Sequence, residues 1–473
     1  VVLSYMYEFR SEPLVYLPLI DTRFTTMTQN NSEAEQNETV AMEIAHGLID
    51  FIDASPSPWH AVASAEALLQ ANGHTRLSEG ERWELKEGGR YYVVRGGASL
   101  IAFVMGSKPI VESGFRIVGT HSDSPGFRVK PNAALAGEGL ARLAVEVYGG
   151  PILATFTDRD LSLAGRVVLR TATGQEARLI NFERPLLRLP NLAIHMNRDV
   201  NEQGLKLNKQ TELPMILAQL NEGDDAEAHL RKLLSDAAHA DGTGADVADL
   251  LSWELAVYDV QKASLWGANE EFIASRQLDN LASGYAALTA LIAAEQPAAT
   301  CVTALFDHEE VGSESAAGAG SSFITDVLAR ISGHAKLDEE DRQRAMAHSF
   351  FISADMAHAY NPNFPNAYEP GHKVKVNGGP VIKTNANQRY TTNAETAARF
   401  ISFCEKAGVP YQQYAHRTDI GCGSTIGPIV ASQLGVASVD VGSPMWAMHS
   451  ARESAGVHDH AYMIAALLAA FDS

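Results

Sequence analysis

Four apolar stretches of this chain end in side chains that can hold a metal ion or move a proton. Phe115-Arg-Ile-Val-Gly-Thr120 runs into His121-Ser-Asp123, and Thr303-Ala-Leu-Phe306 runs into Asp307-His-Glu309-Glu310. Phe350-Phe-Ile-Ser353 runs into Asp355, and Ser438-Val-Asp-Val-Gly442 leads through a short loop to His449. Asp279, in Arg276-Gln-Leu-Asp-Asn280, stands just before a helical pattern. Imidazoles mixed with carboxylates suit zinc, cobalt or manganese. A bridging carboxylate such as Asp279 can hold two divalent ions about 3.5–4 Å apart. Such a pair acidifies a shared water and stabilises the oxyanion formed when that water attacks a carbonyl. Of the adjacent Glu309 and Glu310, one can ligate while the other acts as general base. Asp123 is placed to accept the second N–H of His121 and fix its tautomer.

Each residue alone has a plainer reading. His121 can be a solvated loop histidine, Asp279 a helix N-cap, and Glu309-Glu310 an exposed acidic pair. Their shared place at the ends of apolar strands carries the metal reading, because ligands in open α/β sheets bind outside the carboxyl ends of strands. Gly421-Cys-Gly-Ser-Thr-Ile-Gly427 lacks the G-K-[ST] ending of a phosphate loop, so it is expected to form a tight turn or a close backbone approach.

The elements that must position these groups follow from periodicity. Helical spacing marks Met42–Phe51, Trp59–Leu69, Leu281–Glu295, Asn393–Lys406 and His460–Phe471. Strands are expected at Tyr91–Val94, Leu100–Met105, Phe115–Thr120, Val302–Phe306, Ser349–Ala354 and Ala437–Val441. Their alternation predicts a layered α/β domain. Between them, residues 128–168 are rich in Val, Leu and Gly with β-like alternation, as in Leu143-Ala-Val-Glu-Val-Tyr148. The expected organisation is a catalytic domain of residues 40–125 and 259–473, interrupted by a β-rich insertion at 126–258. Residues 27–39 are polar and without pattern, so order is expected from about Val40. Residues 1–39 read as an N-terminal extension, with Met27 a candidate start and no secretory signal expected.

The 473 residues carry 37 Lys+Arg against 57 Asp+Glu, a net charge of −20 that argues against a basic nucleic-acid footprint. The stretch 221–254 alone has nine acids against two bases, so it supplies −7 of that total. With 46% hydrophobic residues the chain can bury a core, and no apolar run is long enough for a membrane span. Cys301, Cys404 and Cys422 are few and far apart, which reads as reduced thiols in a cytoplasmic protein.

With these residues in view, the chain resembles the aspartyl aminopeptidases, a co-catalytic dizinc exopeptidase family. The motifs are LIDFIDASPSPWHAV (48–62), THSDSPGFRVKP (120–131), NLAIHMNR (191–198), RQLDNL (276–281), DHEEVGS (307–313), SADMAHAYNPNF (353–364), GGPVIKTNANQRYTTN (378–393), GCGSTIGP (421–428) and MHSARESAG (448–456). They run in the family's order across residues 40–473. The resemblance implies that His121, Asp279 and Asp355 hold one metal and that Asp279, Glu310 and His449 hold the other. It implies two divalent ions per subunit, zinc before cobalt or manganese, with Glu309 as base and Asp123 bracing His121. The catalytic domain is then a metallopeptidase-type layered α/β domain with a mixed sheet, the β-rich insertion is a dimerisation domain, and dimers build a tetrahedral dodecamer in which His195 reaches a neighbouring active site. The implied substrates are peptides with N-terminal Asp or Glu. Lys383 is the expected partner of the substrate carboxylate, with Tyr390 and His358 lining the same pocket. The nearest rivals are a neutral aminopeptidase or a deacylase on the same dimetal fold. A non-catalytic metal-binding scaffold would need a lost base or ligand, and none is lost here.

Overall fold

The computed structural model describes residues 31–172, 174–239 and 249–473. Helices α1 (Asn31–Asp53) and α2 (Pro58–Ala71) open the described chain, followed by strands β1 (Thr75–Leu77), β2 (Arg90–Arg95), β3 (Ser99–Val104) and β4 (Phe115–His121). The first helix corrects one expectation: it begins at Asn31, so much of the polar stretch 27–39 is helical rather than without structure. Ser32-Glu-Ala-Glu-Gln has no apolar stripe to betray a helix, yet Glu, Ala and Gln favour one, and acids suit its N-terminal turn. Residues 1–30 lie outside the described residues. Helix α2 is set by Ser57, whose hydroxyl accepts from the backbone N–H of His60, and by Pro58 in the first turn.

The chain then departs through β5 (Gly126–Gly137), β6 (Leu140–Tyr148), β7 (Leu161–Thr171), β8 (Gly174–Asn181), β9 (Met215–Gln219), helix α3 (Ala226–Ala238) and β10 (Leu250–Asp259). These six strands form an antiparallel sheet of their own, in the order β8-β7-β10-β5-β6-β9. Its core, from Phe127, Leu143, Leu163, Val167 and Leu255, is covered by Leu230 and Leu234 of α3. The first and last strands pair with each other, Phe127 against Val257, so the excursion leaves and returns at neighbouring points.

After β10 come β11 (Ser264–Trp266), β12 (Phe272–Ser275), α4 (Leu278–Ala293), β13 (Thr300–Phe306), α5 (Phe323–His334), β14 (Phe350–Ala354), β15 (Ala357–His358) and β16 (Val381–Thr384). Helix α6 (Ala394–Ala407), β17 (Gln412–Ala415), α7 (Ile426–Leu434), β18 (Ala437–Gly442), β19 (Pro444–Trp446), β20 (Glu453–Gly456) and α8 (Val457–Phe471) complete the chain. The main sheet has nine strands in the order β1-β2-β3-β13-β4-β14-β18-β16-β17, and it is mixed, as expected. At its centre β13, β4, β14 and β18 are mutually parallel, so their carboxyl ends open on one edge.

Period-two alternation divides each strand between two helical layers. Leu100, Ala102 and Val104 of β3 face the α1, α4 and α8 side, whereas Ile101 and Phe103 face the α5 and α7 side. Central strands therefore read as continuous apolar runs, and all seven residues of β13 are buried. A third sheet, β11-β12-β20-β19-β15, was not apparent from periodicity because none of its strands exceeds four residues. Among the described residues no helix is long and apolar enough to cross a membrane.

Two histidines displaced by burial alone tie this core to pH. His60 and His460 are 3% and 1% exposed, and burial pulls both down to about 4. The unfolded chain protonates them near 6.5, so between pH 6.5 and 4 it binds more protons and folding stability falls. Each should cost about 2 kcal/mol at pH 5 relative to pH 7. Other titrating groups are common to both proteins, so between pH 7 and pH 5 the urea midpoint of the metal-free protein should fall relative to that of His460→Phe. A difference between the two midpoints that does not change with pH would sink the idea.

Candidate active site

The carboxyl edge of the central strands brings the strand-end residues together. His121 closes β4 and is 1% exposed, with Nε2 at 3.5 Å from both Asp279 Oδ1 and Asp355 Oδ1. His449 follows β19, with Nε2 at 3.2 Å from Asp279 Oδ2 and 3.6 Å from Glu310 Oε1. Asp279 thus turns one oxygen toward each histidine. It is not an N-cap: Gln277 holds that position of α4, and the Asp279 carboxylate points into the cluster. Two triads, His121–Asp279–Asp355 and Asp279–Glu310–His449, each have ligand-type atoms within 4.8 Å of one another. Glu309 also converges here, grouped with His121 and Glu310.

Local backbone geometry aims these side chains. Glu309 and Glu310 sit in a short 3-10 turn after β13, bounded by His308 at φ +63° and Gly312 at φ +101°. His449 itself is left-handed at φ +68°, a conformation non-glycine residues rarely keep unless surroundings impose it. Asp123 imposes much of the first geometry. Its two oxygens accept from the backbone N–H groups of Glu309 and Glu310, both at 3.1 Å, and Oδ2 also accepts from the Tyr148 hydroxyl at 2.7 Å. His121 Nδ1 lies 3.0 Å from the Asp123 carbonyl oxygen and 3.4 Å from its Oδ1.

The cluster holds more negative charge than its own cations can balance. Burial pushes Glu309 up to about 8, aided by Asp355, Asp123 and Asp279 and opposed by His121. Burial and Asp279 likewise raise Glu310 well above the carboxylate range. Burial acts against charge on His121, yet Asp123, Asp279 and Asp355 outweigh it and raise that imidazole. Burial also opposes charge on His449, but Asp279 and Glu310 lift it to about 10. Asp279, drawn down by both imidazoles against its own burial, stays well below the carboxylate range. Protons are thus held where cations would otherwise be.

The donor set fits divalent metal ions. Asp279 Oδ1 is a buried carboxylate oxygen without a hydrogen-bond partner, facing an imidazole nitrogen and a second carboxylate. Mixed imidazole and carboxylate donors match zinc chemistry, and Asp279 is placed to serve two ions.

The remaining expected residues sit beside or away from this cluster. Lys383, on β16, is 2% exposed. Its ammonium donates to the carbonyls of Asp355 at 3.0 Å and Met356 at 3.3 Å, and lies 3.8 Å from Asp355 Oδ2. It also stands 5.1 Å from the centre of the buried Tyr390 ring. His358, on β15, packs its ring near those of Tyr414 and His416 at 6.0 and 6.2 Å; burial, with Lys383 and His416, lowers it to about 4, leaving it neutral. His195 stands exposed in the stretch 190–199 and makes none of these contacts within one chain.

Glu453 was not singled out from sequence, although it lies inside the 448–456 motif. It is 1% exposed and accepts from the backbone N–H groups of His449 at 2.6 Å and Asp279 at 3.1 Å. Burial and the nearby Asp279 raise it to about 8, against those two hydrogen bonds. The glycine-rich stretch resolves as a close approach: Thr425 caps α7 and donates to Asp440 Oδ1, and a Cβ on Gly427 would meet Asp440 Oδ2 at 2.4 Å.

A mixed α/β sheet with two histidines and their carboxylates at its open edge defines a metallohydrolase. The pattern of the family described as aminopeptidase I zinc metalloprotease (M18) matches residues 51–471. The chain belongs to the M18 aminopeptidase family. It is 49% identical over 433 residues to the probable M18 family aminopeptidase 2 of Pseudomonas aeruginosa, covering 91% of this chain and 98% of that one. Among solved structures it is similar to one in the Ape4 and Nbr1 complex, with a TM-score of 0.88 at 38% identity over 94% of this chain and 87% of that chain. The S. cerevisiae mApe1 dodecamer matches with a TM-score of 0.77 at 27% identity, covering 90% and 95% of the two chains.

Proposed function

We propose that this M18 aminopeptidase releases N-terminal Asp and Glu from peptides at a site holding two divalent ions, zinc foremost. The division of Asp279 between His121–Asp355 on one side and Glu310–His449 on the other carries the two-ion reading. Ions bound there would supply an acidified water and an electrophile for the scissile carbonyl. Glu309 takes the proton of the attacking water and delivers it to the leaving amine. Asp123 keeps Glu309 and Glu310 in register through their backbone N–H groups and keeps the second nitrogen of His121 engaged.

Selection of an acidic residue rests on Lys383. A lysine ammonium has three N–H donors, and two here go to backbone carbonyls. Asp355 Oδ2, at 3.8 Å, is beyond hydrogen-bond length, so the third can turn to a substrate carboxylate, in surroundings dry enough for that pair to matter. Tyr390 fixes the ammonium from one side, and neutral His358 lines the pocket without adding a competing charge. Lys383→Ala should lower kcat/KM on an acidic substrate about 10- to 100-fold, the worth of one buried charge-assisted hydrogen bond. Loss on a neutral aminoacyl substrate should stay within a few fold. Equal losses on both would remove Lys383 from substrate recognition.

Assembly of dimers into a tetrahedral dodecamer is part of the same reading. The insertion exposes Leu192, Ile194 and Met196, at 67%, 47% and 75%, around His195. A loop this apolar supports an intersubunit contact that would carry His195 toward a neighbouring site. Sedimentation should find a dodecamer, and a monomer at micromolar concentration would overturn this arm. A panel of Asp-, Glu-, Leu- and acyl-amino-acid substrates, each with and without chelator, tests the whole. Fastest turnover on a neutral or acylated substrate would favour the neutral aminopeptidase or deacylase reading instead.

A further inference from the structure

The insertion touches the metal-type cluster within its own subunit through a five-residue strap, Tyr148-Gly-Gly-Pro-Ile152, that follows β6. Gly150's carbonyl oxygen lies 3.1 Å from His449 Nδ1, and the backbone N–H of Ile152 donates to the His449 carbonyl at 2.9 Å. A carbonyl oxygen only accepts, so the contact keeps a proton on Nδ1 and reserves Nε2, the nitrogen that faces Asp279 and Glu310, as the one that would bind an ion. At the other end, the Tyr148 hydroxyl donates to Asp123 Oδ2 at 2.7 Å. Asp123 in turn engages His121 Nδ1 through its carbonyl and holds the backbone of Glu309 and Glu310.

The strap is itself held firmly. Arg128 of β5 stacks on the Tyr148 ring at 4.3 Å and on Trp59 of α2 at 5.1 Å, which pins the tyrosine between the two sheets. Gly149 sits at φ +68°, and a Cβ there would stand 3.1 Å from Glu310 Cβ, so only glycine lets the strap lie this close.

We propose that this strap is part of the metal centre: Gly150 orients His449 directly, and Tyr148 is a positioning residue that orients His121, Glu309 and Glu310 through Asp123. The inference rests on the reading of these residues as metal ligands. It also assigns the insertion a role in each subunit's own chemistry, apart from any contact between subunits. Partners that orient metal ligands typically contribute 10- to 100-fold to metal affinity or activity.

Tyr148→Phe keeps the ring and removes only the donor. In cobalt- or zinc-loaded enzyme, its metal release to excess chelator should be about 10- to 100-fold faster than in the unsubstituted enzyme. The KM for an acidic substrate should stay within twofold, with the loss in kcat. Tyr92→Phe, which removes a buried phenol bonded to Gln70 in the main sheet, should leave the release rate unchanged. Because Tyr148 acts through Asp123, adding Tyr148→Phe to Asp123→Asn should accelerate release little further. Gly149→Ala perturbs the same strap by a second route and decides the matter should Tyr148→Phe fail to fold. If the unsubstituted enzyme retains no divalent ion, the metal reading itself fails. If it retains ions and both strap variants release them at its rate, the strap inference alone is overturned.

Discussion

Glu309→Gln should lower kcat by roughly 10²- to 10⁴-fold, the usual worth of a positioned general base, while two divalent ions per subunit remain bound. The amide matches the carboxylate in shape and keeps one oxygen acceptor, but it cannot take up a proton. The metal-type triads do not need Glu309: both form around Asp279 without it. Burial and neighbouring acids hold Glu309 at about 8 in the absence of cations. Positive ions beside it lower that value, so loading the site makes the carboxylate available as a base near neutral pH. Turnover and metal content measured on the same preparation separate the roles. Near-normal kcat would remove Glu309 as base, and loss of both ions would make it a ligand instead.

Asp279→Ala should be at least as damaging, on the order of 10³-fold or more in kcat/KM, because the stabilisation supplied by a metal pair is worth several kcal/mol. The physical reason is its shared position. On one side His121 Nε2 lies 3.5 Å from Asp279 Oδ1 and as far from Asp355 Oδ1, and on the other His449 Nε2 lies 3.2 Å from Asp279 Oδ2. Removing this side chain leaves the Nε2 of each histidine with a single carboxylate partner, Asp355 for His121 and Glu310 for His449. Its absence should therefore reduce metal content below one ion per subunit at stoichiometric zinc, in contrast to Glu309→Gln. Retention of two ions with high activity would show that Asp279 does not bridge. Chelation of the unsubstituted enzyme should reproduce the activity loss, and adding back zinc should reverse it.

Several of these assignments were readable without coordinates because they depend on chemistry and local pattern. Apolar runs bounded by His121, Asp307, Asp355 and the approach to His449 are strands whose central positions are covered on both faces. A residue that ends such a run falls at the sheet edge almost by construction. Lys383 was harder. GPVIKTN is too short to distinguish a buried strand from a loop, and lysine is usually exposed, yet β16 pairs with β18 and β17 and carries it into the core. Glu453 and Tyr148 left still less trace. One lies on a four-residue strand, and the other ends an ordinary alternating strand. What makes each matter is a hydrogen bond to a residue more than a hundred positions or about twenty-five positions away.

Residue type and periodicity thus determined by themselves the layered α/β class, the strand-end histidines and carboxylates, and the chemistry those donors can perform. Tertiary structure alone decided that Asp279 divides its two oxygens between His121 and His449, that Lys383 is buried beside Asp355, and that the Tyr148–Ile152 strap reaches the cluster. The reason is the range of the forces involved. Apolar periodicity and helix signals act over a few residues and leave their mark in the order of the chain. Hydrogen bonds act over about 3 Å in space and charges over up to about 8 Å, and only the folded sheet brings residues 121, 148, 279 and 449 into one such neighbourhood.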